Sequence, residues 1–461
     1  MSLLEQQKII QSHLAQCDKN TIVERVKQAA VVGAGGAGFP TYVKLQAEAE
    51  IFLVNAAECE PMLKVDQQLM AVQAAEMIRG LSYAMAATGA KEGVIALKAK
   101  YQKAIDALTP LLAGNMRIHI LEDVYPAGDE VITIWMATGR RVPPAQLPLS
   151  VGVVVNNVQT LINVCHAVER EQGVFERTLT INGCVRNPMT ITVPLGITFQ
   201  ELLDYAGGVT VEDFGVINGG PMMGGLVEDL NECVTKTTGA LLVLPRDHIL
   251  IQRRMKTDAQ ILNMARTVCE QCTLCTELCP RHVIGHELPP HLIIRATNYK
   301  DLSTPSTILS ALTCSECSVC ESYACPVEIS PMRVNKILKK QLREQGAKYE
   351  GELRPADPIA EYRLVPISRL ISRLNLTPYY QDAPMQPFDY AFQTVKIKIQ
   401  QHIGASGEAV VKVGDKVQQG QLLASAKSNA LSVGMHASCN GIVTAICANE
   451  SNEQFITIQR G

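Results

Sequence analysis

Two stretches of closely spaced cysteines constrain this chain more than any other feature. The first is Cys269-x-x-Cys272-x-x-Cys275-x-x-x-Cys279-Pro280, and the second is Cys314-x-x-Cys317-x-x-Cys320-x-x-x-x-Cys325-Pro326. Thiolates at i, i+3 and i+6 wrap a short loop around one face of an iron–sulfur cubane. In paired loops of this kind the fourth cysteine, carried before a proline, ligates the other cluster. One [4Fe–4S] cluster is therefore expected on Cys269, Cys272, Cys275 and Cys325, and another on Cys314, Cys317, Cys320 and Cys279. The second group has one extra residue before its last cysteine, which lengthens the turn but keeps the proline. The alternative is a pair of four-thiolate zinc sites, although zinc knuckles pair two separated C-x-x-C units and do not crowd three cysteines into one loop. Apolar stripes flank both groups: Ile261, Leu262, Ala265 and Val268 before the first, and Val334, Ile337, Leu338 and Leu342 after the second.

The chain has fifteen cysteines, and the seven outside these groups are scattered, most of them reading as small buried hydrophobes. Clustered, metal-ready thiols fit a reducing compartment. No apolar run reaches the roughly 18 residues of a membrane helix, and the N-terminus lacks a basic stretch followed by an apolar one. A cytoplasmic protein without a membrane span is expected. Net charge is −3 and aromatics are 5%, with Trp135 the single tryptophan, so neither a basic field nor a stacking surface for nucleic acid is present.

With 461 residues the chain should divide into several domains. Residues 1–20 hold an amphipathic helix, and Thr21-Ile-Val-Glu24 has the form of a capping box opening a second one. From 21 to 170, short β-like runs (51–54, 93–97, 151–155) alternate with alanine-rich helical stretches, the pattern of an α/β domain. Residues 174–247 read as strands with one helix between them, a small α+β module. Residues 255–350 are helical and carry both cysteine groups, the proline-rich 351–388 reads as a linker, and 389–461 is a β-rich barrel or sandwich.

The first of these domains contains Val31-Val32-Gly33-Ala34-Gly35-Gly36-Ala37-Gly38-Phe39-Pro40-Thr41 followed by Lys44. Glycines let backbone N–H groups approach an anion, and a lysine adds charge. The spacing is neither that of a P-loop nor that of a dinucleotide fingerprint. Three further segments follow in order: Asn55-Ala-Ala-Glu58-Cys59-Glu60-Pro61, Tyr125-Pro-Ala-Gly128-Asp129-Glu130 and Asn156-Asn157-Val158-Gln159-Thr160. Together the four motifs resemble the flavin- and NADH-binding domain of the complex I flavoprotein subunit, and more closely the C subunit of the Rnf complex.

That resemblance implies FMN and NADH as cofactors. It puts Gly33, Gly35, Gly36 and Lys44 around the FMN phosphate and ribityl chain, with Asn55, Glu58, Asn156, Asn157 and Thr160 lining the flavin. Phe39 would stack on the NADH adenine, and Glu60 and Glu130 would contact the nicotinamide nucleotide, unless these carboxylates form a solvated rim. Ala57 stands where the complex I subunit has an acidic residue, and Asp129 replaces a glutamate.

The 174–247 module resembles a soluble-ligand-binding β-grasp domain, in which Asn218-Gly-Gly-Pro221-Met222-Met223-Gly224-Gly225 is either a structural turn or a ligand contact. The C-terminal segment resembles a biotinyl/lipoyl-type barrel-sandwich hybrid through Lys412-Val-Gly-Asp415 and Ala437-Ser-Cys-Asn-Gly441. Ala430 falls where a carrier would present its lysine, so docking or packing is expected of it and not a swinging arm. Domain order separates this chain from the Rnf subunit, where the hybrid domain comes first. The full arrangement resembles the cobalamin reductases of propanediol-utilisation microcompartments. An NADH-dependent oxidoreductase is then expected, with electrons passing through FMN and two clusters to the cobalt of a corrinoid. An Rnf-like dehydrogenase feeding a redox partner protein, and a scaffold with a vestigial flavin site, are the alternatives. The family implies a microcompartment location, and the N-terminal helix is either packed on the flavin domain or a tag that docks on a shell protein.

Overall fold

The computed structural model describes residues 2–297, 305–450 and 452–461. The helix Leu3–Leu14 begins with a reciprocal Ser2/Glu5 cap. It lies on the flavin-type domain: Gln6 is fully buried and donates to Ala75 O at 3.1 Å, while Ile10 and Leu14 pack on the core. The second helix is Lys19–Gln28, capped by the Asp18 carboxylate on the Thr21 amide, not by a Thr21/Glu24 box. A carboxylate at the N-cap satisfies that donor first, and the Thr21 hydroxyl turns back to donate to Asp18 at 2.7 Å.

Strands β1 (Ile51–Ala56), β2 (Glu92–Lys98), β3 (Met116–Leu121) and β4 (Val153–Asn157) form a parallel sheet in the order β3-β2-β1-β4. Their apolar runs are continuous because helices cover both faces. Phe52, Val54 and Ala56 enter the core under helices Lys19–Gln28, Ala74–Thr88 and Val158–Arg170, whereas Ile51, Leu53 and Ala57 meet helix Glu130–Thr138 on the other side. Gly80 permits the closest helix contact, since a Cβ there would sit 1.9 Å from Leu161 O.

The β-grasp module is a mixed sheet with β5 (Glu176–Gly183) parallel to β8 (Ala240–Pro245) at its centre, flanked by β6 (Met189–Pro194) and β7 (Phe214–Asn218), with the capped helix Phe199–Tyr205 alongside. The hybrid domain places a four-stranded sheet against a three-stranded one and shares a core with the β-grasp module, where Leu195 and Ile197 pack with Val395 and Ile397.

Residues 351–388 are not a free linker. Val365–Pro366 pairs with Val124–Tyr125 of the flavin-type domain, and Met385–Gln386 adds a parallel strand beside β6. Helix Ile367–Arg373 lies between them, and Val365, Leu370, Leu374 and Leu376 are buried. The prolines punctuate short elements there, and the apolar residues between them fill the seam between three domains.

Candidate functional site

Open parallel sheets bind ligands outside the carboxyl ends of strands, where neighbouring connections leave in opposite directions. Here that crevice lies between β1, ending at Asn55-Ala56, and β4, ending at Asn156-Asn157. The 33–39 loop closes over it. A Val32–Pro40 bridge and the Gly33 amide on Phe39 O (2.9 Å) pinch its stem, and the Ala34 amide donates to the Thr160 hydroxyl at 3.0 Å. Gly35 lies so close to Asn157 that a Cβ would be 3.1 Å from its amide nitrogen, while Gly36 faces open space. Phe39 is half-buried at the stem.

Lys44, on helix Thr41–Gln46, reaches the same crevice and donates to Val155 O at 2.8 Å and to Glu130 at 3.0 Å. Asn55 donates to Gly128 O at 2.8 Å, tying β1 to the 125–130 segment. Asn157 is occupied on both sides: its oxygen caps helix Val158–Arg170, and its nitrogen donates to Asp66. Asn156 is buried and its Nδ2 has no protein partner. An orphan donor, open loop amides and one cation suit a ligand with a phosphate and a heterocyclic acceptor, so the residues fit FMN.

The carboxylates divide. Glu58, at a φ of +34°, accepts the Asp66 and Gln67 amides and so caps the helix Val65–Val72. Burial raises the Glu58 carboxyl and, together with the Glu58 charge, pushes Asp66 to about 8. Asp66 was not legible as a site residue, because only the fold brings it to Asn157. Glu60 accepts the Met222 (2.9 Å) and Met223 (2.8 Å) amides of the β-grasp glycine-rich run, which is thus a carboxylate-binding turn. Burial pushes Glu60 to about 7 despite those amides. Glu130 pairs with Lys44, and Asp129 caps helix Glu130–Thr138.

The cysteines assemble across the two groups. Cys269, Cys272, Cys275 and Cys325 line one small cavity together with Pro326 and Ile329. Cys279 lies instead among Cys314, Cys317 and Cys320, close enough for its charge to act on Cys317 and Cys320. Both loops trace the same path, with left-handed residues at matching positions: Gln271 and Glu316, then Thr273 and Ser318. The extra residue in the second group is absorbed by a π-turn, Cys320–Ala324. Backbone amides of Glu316 and Ile329 donate to the sulfurs of Cys314 and Cys325 at 3.4 and 3.3 Å. Asn335, buried beside Cys314 with both amide atoms lacking oxygen or nitrogen partners, is a further polar group ready for cluster sulfur. Among the described residues no three His, Cys, Asp or Glu side chains converge on a single-ion site. The sulfurs of Cys269, Cys272, Cys275 and Cys325 line a space, as a cubane needs.

The crossed arrangement sets the Cys314 loop against the flavin-type domain. Tyr125 donates to Cys317 O at 2.7 Å, and Arg281, two residues past Cys279, pairs with the half-buried Asp129 at 2.9 Å. Asp129 adjoins Glu130, so one short segment, 125–130, touches both the crevice and the inner cysteines.

Family comparisons follow the same order along the chain. The Nuo51 FMN-binding domain matches residues 26–166, the SLBB domain 178–225, a 4Fe-4S dicluster domain 268–330 and the RnfC barrel sandwich hybrid domain 381–458. The chain is 63% identical over 440 residues to "Cobalamin reductase PduS" of Salmonella typhimurium, covering 95% of this chain and 96% of that one. It is 61% identical over 444 residues to the protein of that name from Citrobacter freundii, covering 96% and 97%. It is also 35% identical over 277 residues to the C subunit of the Na(+)-translocating ferredoxin:NAD(+) oxidoreductase complex of Acetobacterium woodii, covering 59% of this chain and 60% of that one. In fold it is similar to a chain of an NAD+-reducing [NiFe]-hydrogenase in the H2-reduced state, with TM-score 0.50, 21% identity, and coverage of 81% of this chain and 69% of that one.

Proposed function

Because the chain belongs to the family of PduS cobalamin reductases, we propose that it carries electrons from NADH, through FMN and two [4Fe–4S] clusters, to the cobalt of a corrinoid. The single observation that carries the route is the 125–130 segment, which contacts the flavin crevice through Glu130 and the inner cysteine loop through Tyr125 and Asp129. FMN, when bound, takes electrons as a hydride pair and gives them up singly, which is what one-electron clusters require.

The chain's own residues supply position and charge. The open amides of 35–37 and the Lys44 ammonium would hold the phosphate, with Lys44 kept in place by Val155 O and Glu130. Asn156 offers its free Nδ2 to the ring, and Thr160 braces the loop. Cys314, Cys317, Cys320 and Cys279 would hold the cluster nearer the flavin, and Cys269, Cys272, Cys275 and Cys325 the one nearer the surface, where Cys272 is exposed. The exposed Cys272 loop would put the outer cluster within reach of an acceptor. Glu60, bound to the β-grasp turn, serves to join domains in this reading, while Glu130 would contact the nicotinamide nucleotide and Phe39 would stack on the adenine.

Among the described residues no helix is long and apolar enough to cross a membrane. Family membership supports a place inside a bacterial microcompartment. The packed helix Leu3–Leu14 favours a structural role over a shell-docking tag.

The deciding experiment is anaerobic reduction of free cobalamin by NADH. It should saturate with cobalamin and collapse in Cys317→Ala, while NADH still bleaches the flavin. Good dye reduction with negligible cobalamin turnover would overturn the corrinoid reading and leave a dehydrogenase feeding a redox partner protein.

A further inference from the structure

The 33–39 loop is also held from outside its own domain. From the β-grasp module, Arg177 donates to Ala34 O at 2.8 Å and to Thr238 O at 2.7 Å. From the hybrid domain, the Ile403 amide donates to Gly38 O at 3.2 Å. Gly38 has a φ of +71°, and a Cβ there would meet Thr237, Gln401 O and His402 at 3.0–3.2 Å, so both domains press on the loop at this glycine.

Beneath these contacts lies Lys236, 2% exposed, at the point where three domains meet. Its backbone amide donates to Gln401 at 2.8 Å, and its ammonium donates to Ala30 O at 2.8 Å and Gly434 O at 3.4 Å. No carboxylate pairs with it among the described residues, and burial lowers it to about 7. Ala30 sits just before the loop's stem in a left-handed conformation, φ +55°, that a non-glycine residue rarely adopts. A buried cation without a counter-ion is costly, and an apolar side chain of similar volume would pack at less expense. What the lysine adds is two carbonyl contacts that fix the strained entry of the loop to the C-terminal domain.

We propose that Lys236 is a positioning residue that locks the 33–39 loop in its anion-accepting shape. The C-terminal hybrid domain thereby serves as a fixed buttress of the flavin site. The inference rests on the reading of this loop as the FMN phosphate cradle. It also explains why the hybrid domain needs no lysine at its hairpin tip: Leu431 O accepts the Ala405 amide at 2.8 Å, so the tip is folded onto the segment that leads to the loop.

The test uses full-length, cluster-loaded protein stripped of FMN, and reads amide exchange over 33–39 alongside FMN affinity. Lys236→Met and Ile403→Pro should each speed exchange in the loop about tenfold and weaken FMN about tenfold, with iron content unchanged. Ser438→Ala removes a 2.6 Å bond to Leu195 O in the same interdomain seam, away from the loop. It should lower thermal stability alone. If the loop in Lys236→Met exchanges no faster than in Ser438→Ala, the lock is overturned. Faster exchange with unchanged FMN affinity would uphold the lock and overturn the flavin reading of the loop. Should Lys236→Met fail to fold, Ile403→Pro decides, since Ile403 is 45% exposed and its side chain fills no core.

Discussion

The two cysteine loops are near copies in spacing and backbone, yet they occupy opposite environments. Cys314, Cys317, Cys320 and Cys279 are all buried, at 7–8% exposure, and their loop is bonded to the flavin-type domain. Cys272 is exposed, Cys269 and Cys275 are half-buried, and their loop faces outward. Because solvent access and hydrogen bonds to sulfur set cluster potentials, nearly matching ligand motifs would give two different redox centres. Their polar neighbours differ too: the inner site has Asn335 beside Cys314 and Lys339 donating to Cys314 O at 2.7 Å, whereas at the outer one the Gln271 side chain donates to Cys269 Sγ at 3.1 Å. On the proposed route this difference would give the molecule a direction, with a buried receiving end on the side of the flavin-type domain and an exposed delivering end.

The comparison breaks most directly through the ligands themselves. Anaerobic protein should hold about eight irons, and each ligand variant about four. Cys272→Ala and Cys325→Ala should leave the same spectrum, that of the inner cluster. Cys279→Ala should leave the outer one. If Cys279→Ala and Cys272→Ala instead match, the clusters are not crossed and the inner/outer distinction falls.

A smaller effect isolates the join between the inner loop and the flavin-type domain. Arg281→Met removes the partner of Asp129, a pair whose side chains are 16% and 9% exposed. Breaking a pair enclosed to this degree costs about 3 kcal/mol. Chemical denaturation should show that loss. The matching change at the surface pair, Arg117→Met against Glu92, should cost under about 1 kcal/mol. Equal losses would mean that the seam is no better enclosed than the surface.

The smallest expected change is in pH dependence. Glu60 has its folded pKa raised from 4.5 to about 7 by burial, so the folded protein binds more protons than the unfolded chain between those values. Stability should therefore fall as pH rises from about 4.5 to about 7, and Glu60→Gln should flatten that slope in FMN-free protein. An unchanged slope in thermal melts across this window would mean that the amides of Met222 and Met223 outweigh desolvation and keep Glu60 ionised.

Much of this was legible in order along the chain. Cysteine spacing is local chemistry, and it announced both clusters and their exchange of fourth ligands, an arrangement that the shared cavity of Cys269 and Cys325 fits. The β-like runs marked a parallel sheet because strands covered on both faces must be apolar throughout. The 351–388 segment misled because prolines signal breaks, and the burial of Val365 and Leu370 depends on surfaces far away in the chain. The bonds from Glu60 to the β-grasp turn were likewise not legible, because they join residues 162 and 163 positions apart.

The sequence by itself determined the cofactor chemistry, the order of the domains and the strand and helix periods, since each rests on residues within a few positions of one another. Only the tertiary structure decided which cluster faces the flavin, which carboxylates remain in the crevice and what the C-terminal domain holds. Those outcomes depend on contacts such as Tyr125 with Cys317 and Lys236 with Ala30, 192 and 206 residues apart. No local pattern encodes such pairs, because burial and the satisfaction of buried polar groups are settled only when distant surfaces close together.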